Sequence, residues 1–300
     1  MTLADAASGS PGAASRVRRG GVAVVASRVR FEEKLLFAAL ERRHVPYTLV
    51  DDRTLRWPLD AARAGFDVAL NRSISHTRGL YGARVMEHAG VRVVNSSAVI
   101  ATCGDKAETT MRLAAAGVPC PRTAVALTAD AALDAIEAIG YPVVVKPVVG
   151  SWGRLVTKAN DRDAAEAILE HRRVLGAPHH QIVYVQELVP RQWHDVRVIV
   201  AGERVVGAMA RTSAHWINNV ARGGEVRAWK VTDDLAAAAL AAARAVGGGL
   251  LAIDAFVAPD GRVVVSEVNH TMEFRGFVEA TGIDVAEVVV DYVLAARVAA

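Results

Sequence analysis

Two carboxylates and an amide gather near the C-terminal end of this sequence. Ile253-Asp254-Ala255-Phe256 reads as one strand and Val265-Ser266-Glu267-Val268-Asn269 as the next, joined by an Asp260-Gly261 hairpin turn. Side chains alternate along a strand, so Glu267 and Asn269 share a face, and a hairpin can set Asp254 opposite them. Oxygen donors placed among Val and Ile are costly unless something compensates. Such a set suits Mg²⁺, which takes its remaining ligands from phosphates and water. The alternative is the polar face of an exposed edge strand.

The candidate anion-binding groups lie upstream. Lys146 sits inside the apolar strand Val143-Val144-Val145-Lys146-Pro147, where an ammonium must meet an anion or reach solvent. Lys106 follows Gly104-Asp105 at a helix start, where backbone N–H groups also favour anions. The turn Val149-Gly150-Ser151-Trp152-Gly153-Arg154 follows Lys146 and offers small residues and backbone donors to phosphate oxygens. It is not a Walker A loop, because Gly-Lys-Ser/Thr is missing. Arg197 and Arg211 fall on adjacent expected strands, within reach of one triphosphate. Asn218-Asn219-Val220-Ala221-Arg222-Gly223-Gly224 reads as a polar loop suited to a lid. No Gly-x-Ser-x-Gly nucleophile elbow occurs, and His179-His180 reads as a solvated loop beside Pro178.

The elements that must position these groups fall into three units. In the first, residues 21–95, short buried strands (Gly21–Ala26, Tyr47–Val50, Asp67–Leu70, Val91–Val94) alternate with helical stretches (Glu32–Arg43, Gly79–Ala89). That alternation predicts a parallel α/β sheet covered on both faces. The second, 96–185, holds helices at Ala107–Ala116, Asp130–Ile139 and Asp161–Glu170, with strands at Thr123–Leu127, Tyr141–Val149, Leu155–Lys158 and Ile182–Leu188. The third, 186–300, has longer strands of antiparallel character (Asp195–Val200, Arg204–Arg211, Gly249–Val257, Arg262–Val268) and helices Asp233–Val246 and Asp284–Val298. The fold class is therefore α/β in the first part and α+β in the rest.

Composition narrows the function. With 300 residues, 52% hydrophobic and 22% charged, the chain is globular and large enough to fold without disulfides or a structural metal. Cys103 and Cys120 form no ligand pattern, which excludes a cysteine zinc site and suits a reducing cytoplasm. No apolar run reaches the ~18–20 residues of a membrane span. The net charge is +3, of which residues 1–20 supply +2 through Arg16, Arg18 and Arg19 against Asp5, leaving +1 for the remainder. Those first 20 residues lack an apolar signal region and read as a disordered tail. Aromatic residues make up only 5%, with no basic–aromatic interleaving, which argues against a nucleic-acid partner.

Taken together, Lys106, Val143–Lys146, Ser151-Trp152-Gly153-Arg154, Gln186-Glu187-Leu188-Val189, Asp254 and Glu267-Val268-Asn269 follow the ATP-grasp order, and the chain resembles that superfamily from about residue 22 to 296. Within it the sequence resembles the LysX group, ligases that join 2-aminoadipate to the C-terminal glutamate of a small acidic amino-group carrier protein. The RimK-type ribosomal-protein glutamate ligases are its cousins. The resembling stretches are Ser27–Lys34, Arg72-Ser73-Ile74-Ser75-His76, Cys103–Lys106, Lys146–Arg154, Ala221–Gly224 and Glu267–Arg275.

The resemblance implies an ATP-grasp fold behind an N-terminal Rossmann-like pre-ATP-grasp domain, with ATP and two Mg²⁺ ions. Lys106 and Lys146 would hold the α- and β-phosphates, and Ser151, Trp152 and Gly153 would fold over them. Gln186, Glu187, Leu188 and Val189 would line the adenine, Glu187 and Val189 meeting it through backbone groups, with Asp195 near the nucleotide. Arg197, Arg211 and Asn219 would face the phosphates as catalytic groups with Glu267. Asp254, Glu267 and Asn269 would hold the metal, Glu267 bridging two ions. Arg72, Ser75, His76 and Arg275 are the candidates for gripping substrate carboxylates, although Arg72 and His76 could instead cap the first domain.

Two positions depart from the group's pattern: Asn218 replaces a Thr, and Gly276-Phe277 replaces Asn-Ser. Both lie where the amino-acid acceptor is expected. The expected activity is amide formation through an acyl phosphate, attaching 2-aminoadipate or a related amino acid to an acidic carrier in lysine or related biosynthesis. Alternatives are a glutamate-specific or specialised-metabolite carrier ligase, a ribosomal-protein glutamate ligase, and an inactive nucleotide-binding regulator. The resemblance also implies a homo-oligomer in the cytoplasm.

Overall fold

The computed structural model describes residues 21–59, 65–150, 154–174, 181–190, 192–213 and 225–298. Its first sheet is parallel, in the order β2 (Tyr47–Val50), β1 (Val22–Val25), β3 (Val68–Asn71), β4 (Arg92–Val94). All four residues of β1 and of β3 are buried, as expected of strands covered on both faces. Val22 and Val24 pack with Leu36 and Leu40 of α1 (Phe31–Arg42), whereas Ala23 and Val25 pack with Ala83 and Met86 of α2 (His76–His88).

Two short helices follow, α3 (Ser97–Gly104) and α4 (Lys106–Ala115), and they lead to an antiparallel sheet. Its order is β5 (Thr123–Ala126), β8 (Val183–Glu187), β6 (Val143–Pro147), β7 (Thr157–Ala159). Val143, Val145, Val183 and Val185 cover α5 (Ala129–Ile139) and α6 (Arg162–Val174) through Ile136 and Leu169. Period-two alternation therefore turns Lys146, Tyr184 and Gln186 to the opposite face.

The third sheet is also antiparallel: β11 (Glu225–Trp229), β10 (Arg204–Thr212), β9 (His194–Ala201), β12 (Leu250–Val257), β13 (Val263–Asn269). One face, carrying Val196, Val198, Val200, Leu251 and Ile253, packs on α7 (Asp233–Ala245). On the other face Ile199, Met209 and Ala252 join a core with Phe277 of α8 (Arg275–Thr281) and with Val285, Val289 and Val293 of α9 (Val285–Val298). That same core holds Val22, Leu36 and Leu70, so α9 is shared between the first and third sheets.

Asn95 fastens the two sheets at a second point. Its side chain accepts from Leu250 N (2.7 Å) and donates to the carbonyls of Leu250 (2.8 Å) and His270 (2.7 Å). Gly249 makes this approach feasible: its φ is +117°, and a Cβ there would overlap Asn95 Oδ1.

The sequence pattern did not suggest α3, β11 or α8. β7 begins at Thr157 rather than Leu155, because Leu155 takes a left-handed φ of 58° that no strand continues. α2 begins at His76 rather than Gly79, because Ser75 Oγ accepts from Arg78 N and caps the helix there.

Candidate active site

The register of the third sheet assembles a charged face from residues far apart in sequence. Asp254 pairs with Arg197 across β12 and β9, and with Glu267 across β12 and β13; Arg211 pairs with Asp195 across β10 and β9. Asn269 lies two residues beyond Glu267 on the same face. Arg197 grips Asp254 in bidentate fashion, Nε to Oδ1 at 2.7 Å and Nη2 to Oδ2 at 2.8 Å. Arg211 bonds Asp195 Oδ1 at 2.5 Å and approaches Asp254 Oδ1 at 3.3 Å. Asn269 Nδ2 donates to Asp254 Oδ2 at 3.2 Å. Burial works against the Asp254 anion, but Arg197 and Arg211 outweigh it and hold this carboxyl well below the usual range.

The second sheet supplies the facing wall. Lys146 Nζ donates to Gln186 Oε1 at 2.7 Å. Gln186 Nε2 in turn meets Tyr184 Oη (3.1 Å) and Thr123 Oγ1 (3.2 Å), and Tyr184 Oη meets Thr110 Oγ1 at 2.8 Å. Burial pushes the Lys146 ammonium down to about 8; Glu267 opposes this and Lys106 adds to it.

Lys106 links the two walls. Its Nζ donates to Gly150 O at 2.6 Å and lies 3.3 Å from Glu267 Oε1. Asp105 caps α4 through Ala107 N and Glu108 N, which places Lys106 in the first turn. The arrangement is a cleft between two sheets, with lysines on one wall and two carboxylates and an amide on the other.

Among the described residues, no three His, Cys, Asp or Glu side chains cluster as a metal site. The donors available at Asp254, Glu267 and Asn269 are all oxygens, too few to complete an octahedral shell alone. This chemistry fits Mg²⁺ carried in with phosphate oxygens.

Of the adenine-side expectations, Glu187 uses its side chain on Arg122 Nε (2.9 Å), and its N–H donates to Arg122 O. Leu188 N donates to Pro142 O at 3.4 Å, and Leu188 and Val189 follow β8 directly. Ser151, Trp152, Gly153 and Asn219, like Asn218–Gly224 and His179-His180, lie outside the described residues.

The four carboxylate-gripping candidates separate. Arg72 is buried, with Nε on Glu33 Oε1 at 2.9 Å and Nη1 on Met272 O at 2.8 Å. His76 stands 5.8 Å from His270, ring centre to ring centre. Ser75 is committed to capping α2. Arg275 is exposed, paired with Glu279 at 2.9 Å and lying over Phe31. Sequence reasoning missed Glu33, Ser73, Asn95 and His270 as members of this region. His270 lies inside the Glu267–Arg275 stretch, and its position right after Asn269 is the available signal. Burial, with Arg72 and His76 nearby, pushes the His270 imidazolium down to about 4.

A cleft of this build between two antiparallel sheets defines an ATP-grasp enzyme, an ATP-dependent ligase that forms amide bonds. The chain belongs to the RimK-like ATP-grasp family: a RimK-like ATP-grasp domain matches residues 103–293, and a LysX preATP-grasp domain matches 22–102. It is 39% identical to the glutamate–LysW ligase ArgX of Sulfolobus acidocaldarius, covering 91% of this chain and 97% of that protein. It is 35% identical to the alpha-aminoadipate–LysW ligase LysX of the same organism, covering 73% and 80%. Among solved structures, a RimK domain ATP-grasp protein from Sphaerobacter thermophilus superposes with a TM-score of 0.77 at 32% identity, covering 91% and 99%. The D-alanine–D-alanine ligase of Bacillus anthracis shares the fold, with a TM-score of 0.68 at 17% identity over 93% and 97%.

Proposed function

We propose that the chain attaches glutamate to the C-terminal carboxylate of a small LysW-type carrier protein, using ATP and two Mg²⁺ ions. Amide formation is supported by the family and its ligase relatives, and the choice of glutamate over 2-aminoadipate by the higher identity, over more of the chain, to the glutamate ligase. Where the family pattern has Asn-Ser, Gly276 and Phe277 are buried instead, Phe277 packing in the core with Ile199 and Met209 rather than facing an acceptor. An acidic carrier and the cytoplasm, where free Cys103 and Cys120 stay reduced, complete the reading.

Asp254, Glu267 and Asn269 would hold the metal, which when bound neutralises phosphate charge. Lys106 and Lys146 take the α- and β-phosphates, with Ser151, Trp152 and Gly153 over them, and Gln186–Val189 line the adenine with Asp195 near it. Arg197, Arg211 and Asn219 face the transferring group. The carrier's carboxylate attacks the γ-phosphate, ADP departs, and the acyl phosphate is trapped by the glutamate amine with release of phosphate. Arg197 grips Asp254, and Lys106 lies against Glu267, so these cations neutralise the two carboxylates.

The test is ADP formation. It requires carrier, glutamate and Mg²⁺ together, and Glu267→Ala lowers it at least about a hundredfold. ADP release by the Glu267→Ala protein equal to the parent's refutes the metal assignment.

A further inference from the structure

Lys146 is held by a neutral group, and that group is itself held firmly. The Lys146 ammonium donates to Gln186 Oε1 at 2.7 Å. Gln186 Nε2 donates to Thr123 Oγ1 at 3.2 Å and to Tyr184 Oη at 3.1 Å, so the amide oxygen and both amide protons are engaged. The second sheet builds these contacts in. Thr123 stands directly across from Gln186 in the β5–β8 register, and Tyr184 lies two residues before Gln186 on the same face of β8.

The hydroxyls decide which way the amide points. Thr123 Oγ1 spends its single proton on Pro121 O at 2.8 Å, so toward Gln186 it can only accept. Gln186 therefore turns its NH₂ to Thr123 and Tyr184 and its oxygen to Lys146. The flipped amide would set donor against donor at Lys146 and acceptor against acceptor at Thr123. Tyr184 adds a second hold: its ring faces the Lys146 ammonium at 5.9 Å, and its hydroxyl lies 2.8 Å from Thr110 Oγ1. Thr110 sits on α4 one turn beyond Lys106. Tyr184 and Gln186 are both buried, which strengthens hydrogen bonds of this kind and makes their loss felt.

We propose that Thr123, Tyr184 and Thr110 are positioning residues for the nucleotide phosphates, acting through Gln186 to fix the Lys146 ammonium beside Lys106. The inference rests on the phosphate role proposed for Lys146 and names what gives that lysine its geometry. An amide suits the task because it orients the ammonium without bringing a negative charge that phosphate would have to displace. Lys106 is also tied to this wall, since its N–H donates to Val148 O at 2.9 Å, just past the end of β6. The two lysines are thus joined through the backbone and through the hydroxyl chain, and they meet phosphate as one preformed pair.

The test is calorimetric titration of Mg-ATP into Thr123→Val, Thr123→Ser, Tyr184→Phe and Gln186→Met, with displacement by adenosine measured in parallel and thermal melting to confirm folding. We expect Thr123→Val and Tyr184→Phe each to weaken Mg-ATP about fivefold, and Thr123→Ser, which keeps the hydroxyl, to bind like the parent. Adenosine carries no phosphate and should bind all of them alike. Because the hydroxyl acts through the amide, Thr123→Val should add nothing when combined with Gln186→Met. Folded variants with the parent's Mg-ATP affinity overturn the proposal. So does an equal loss for adenosine, which would mean that these residues only shape the pocket, or an independent loss in the double variant. Should Tyr184→Phe fail to fold, the Thr123 pair decides alone. Lys146→Met separates the two readings: parent-like Mg-ATP binding removes Lys146 from the phosphate site and the proposal falls with it. A loss there, without one in Thr123→Val, overturns the positioning role only.

Discussion

Lys146 shows how one residue's surroundings set its working range. It sits on an apolar strand, hydrogen-bonded to Gln186, with an ammonium pushed by burial down to about 8 from an ordinary 10.5. Between those two values the unfolded chain binds more protons than the native one, so stability rises with pH across that window, and the cost of burying the charge is carried below about 8. In the phosphate-binding role proposed for Lys146, nucleotide has the opposite demand, because phosphates favour the ammonium. Above pH 8 binding must take up a proton, and calorimetry in buffers of different ionisation heat should detect it, with affinity for Mg-ATP falling by up to about tenfold per pH unit. Lys146→Arg keeps the charge and should flatten that slope. An unchanged slope would remove Lys146 from the phosphate site.

At the scale of elements, the site depends on how the first domain grips the segment after β13. Glu33 of α1 is fully buried and bonds Arg30 and Arg72, while Glu32 accepts from Phe274 N and Arg275 N at the start of α8. Burial raises the Glu33 carboxyl, yet Arg30 and Arg72 outweigh it and hold it below its ordinary 4.5. A depressed carboxylate contributes stability above its unfolded pKa and loses it as pH falls through the native value. Glu33→Gln strands Arg72 as a buried charge and should cost about 3–5 kcal/mol in urea unfolding, with a shallower loss of stability in acid. A cost under about 1 kcal/mol would mean that the pair does not carry this junction.

The same elements show what was legible in the sequence. Alternation along the last two strands put Glu267 and Asn269 on one face with Asp254 opposite, and the structure pairs Asp254 with Glu267 across the hairpin; that Arg197 faces Asp254 from β9 came only from the structure. α8 was not legible, because its start is bonded by Glu32 from far upstream rather than by a local cap. Ser73 was passed over for Ser75, since local spacing cannot tell a helix cap from a buried hydroxyl. Of the partners that fix Arg72, Glu33 lies 39 residues away in the same unit and Met272 200 residues away in another, contacts that a local pattern does not show.

For the whole molecule, the shared helix α9 and the Asn95 bridge join the first sheet to the third. Among the described residues no helix is long and apolar enough to cross a membrane. The proposed reaction is an ATP-dependent transfer of an amino acid to a carrier's terminal carboxylate. Mass spectrometry of a LysW-type carrier incubated with the protein, Mg²⁺, ATP and either glutamate or 2-aminoadipate tests it directly. The account predicts a gain of one glutamyl residue with glutamate, little or none with 2-aminoadipate, and none without ATP. A carrier mass unchanged in every mixture, or raised by 2-aminoadipate alone, would contradict it.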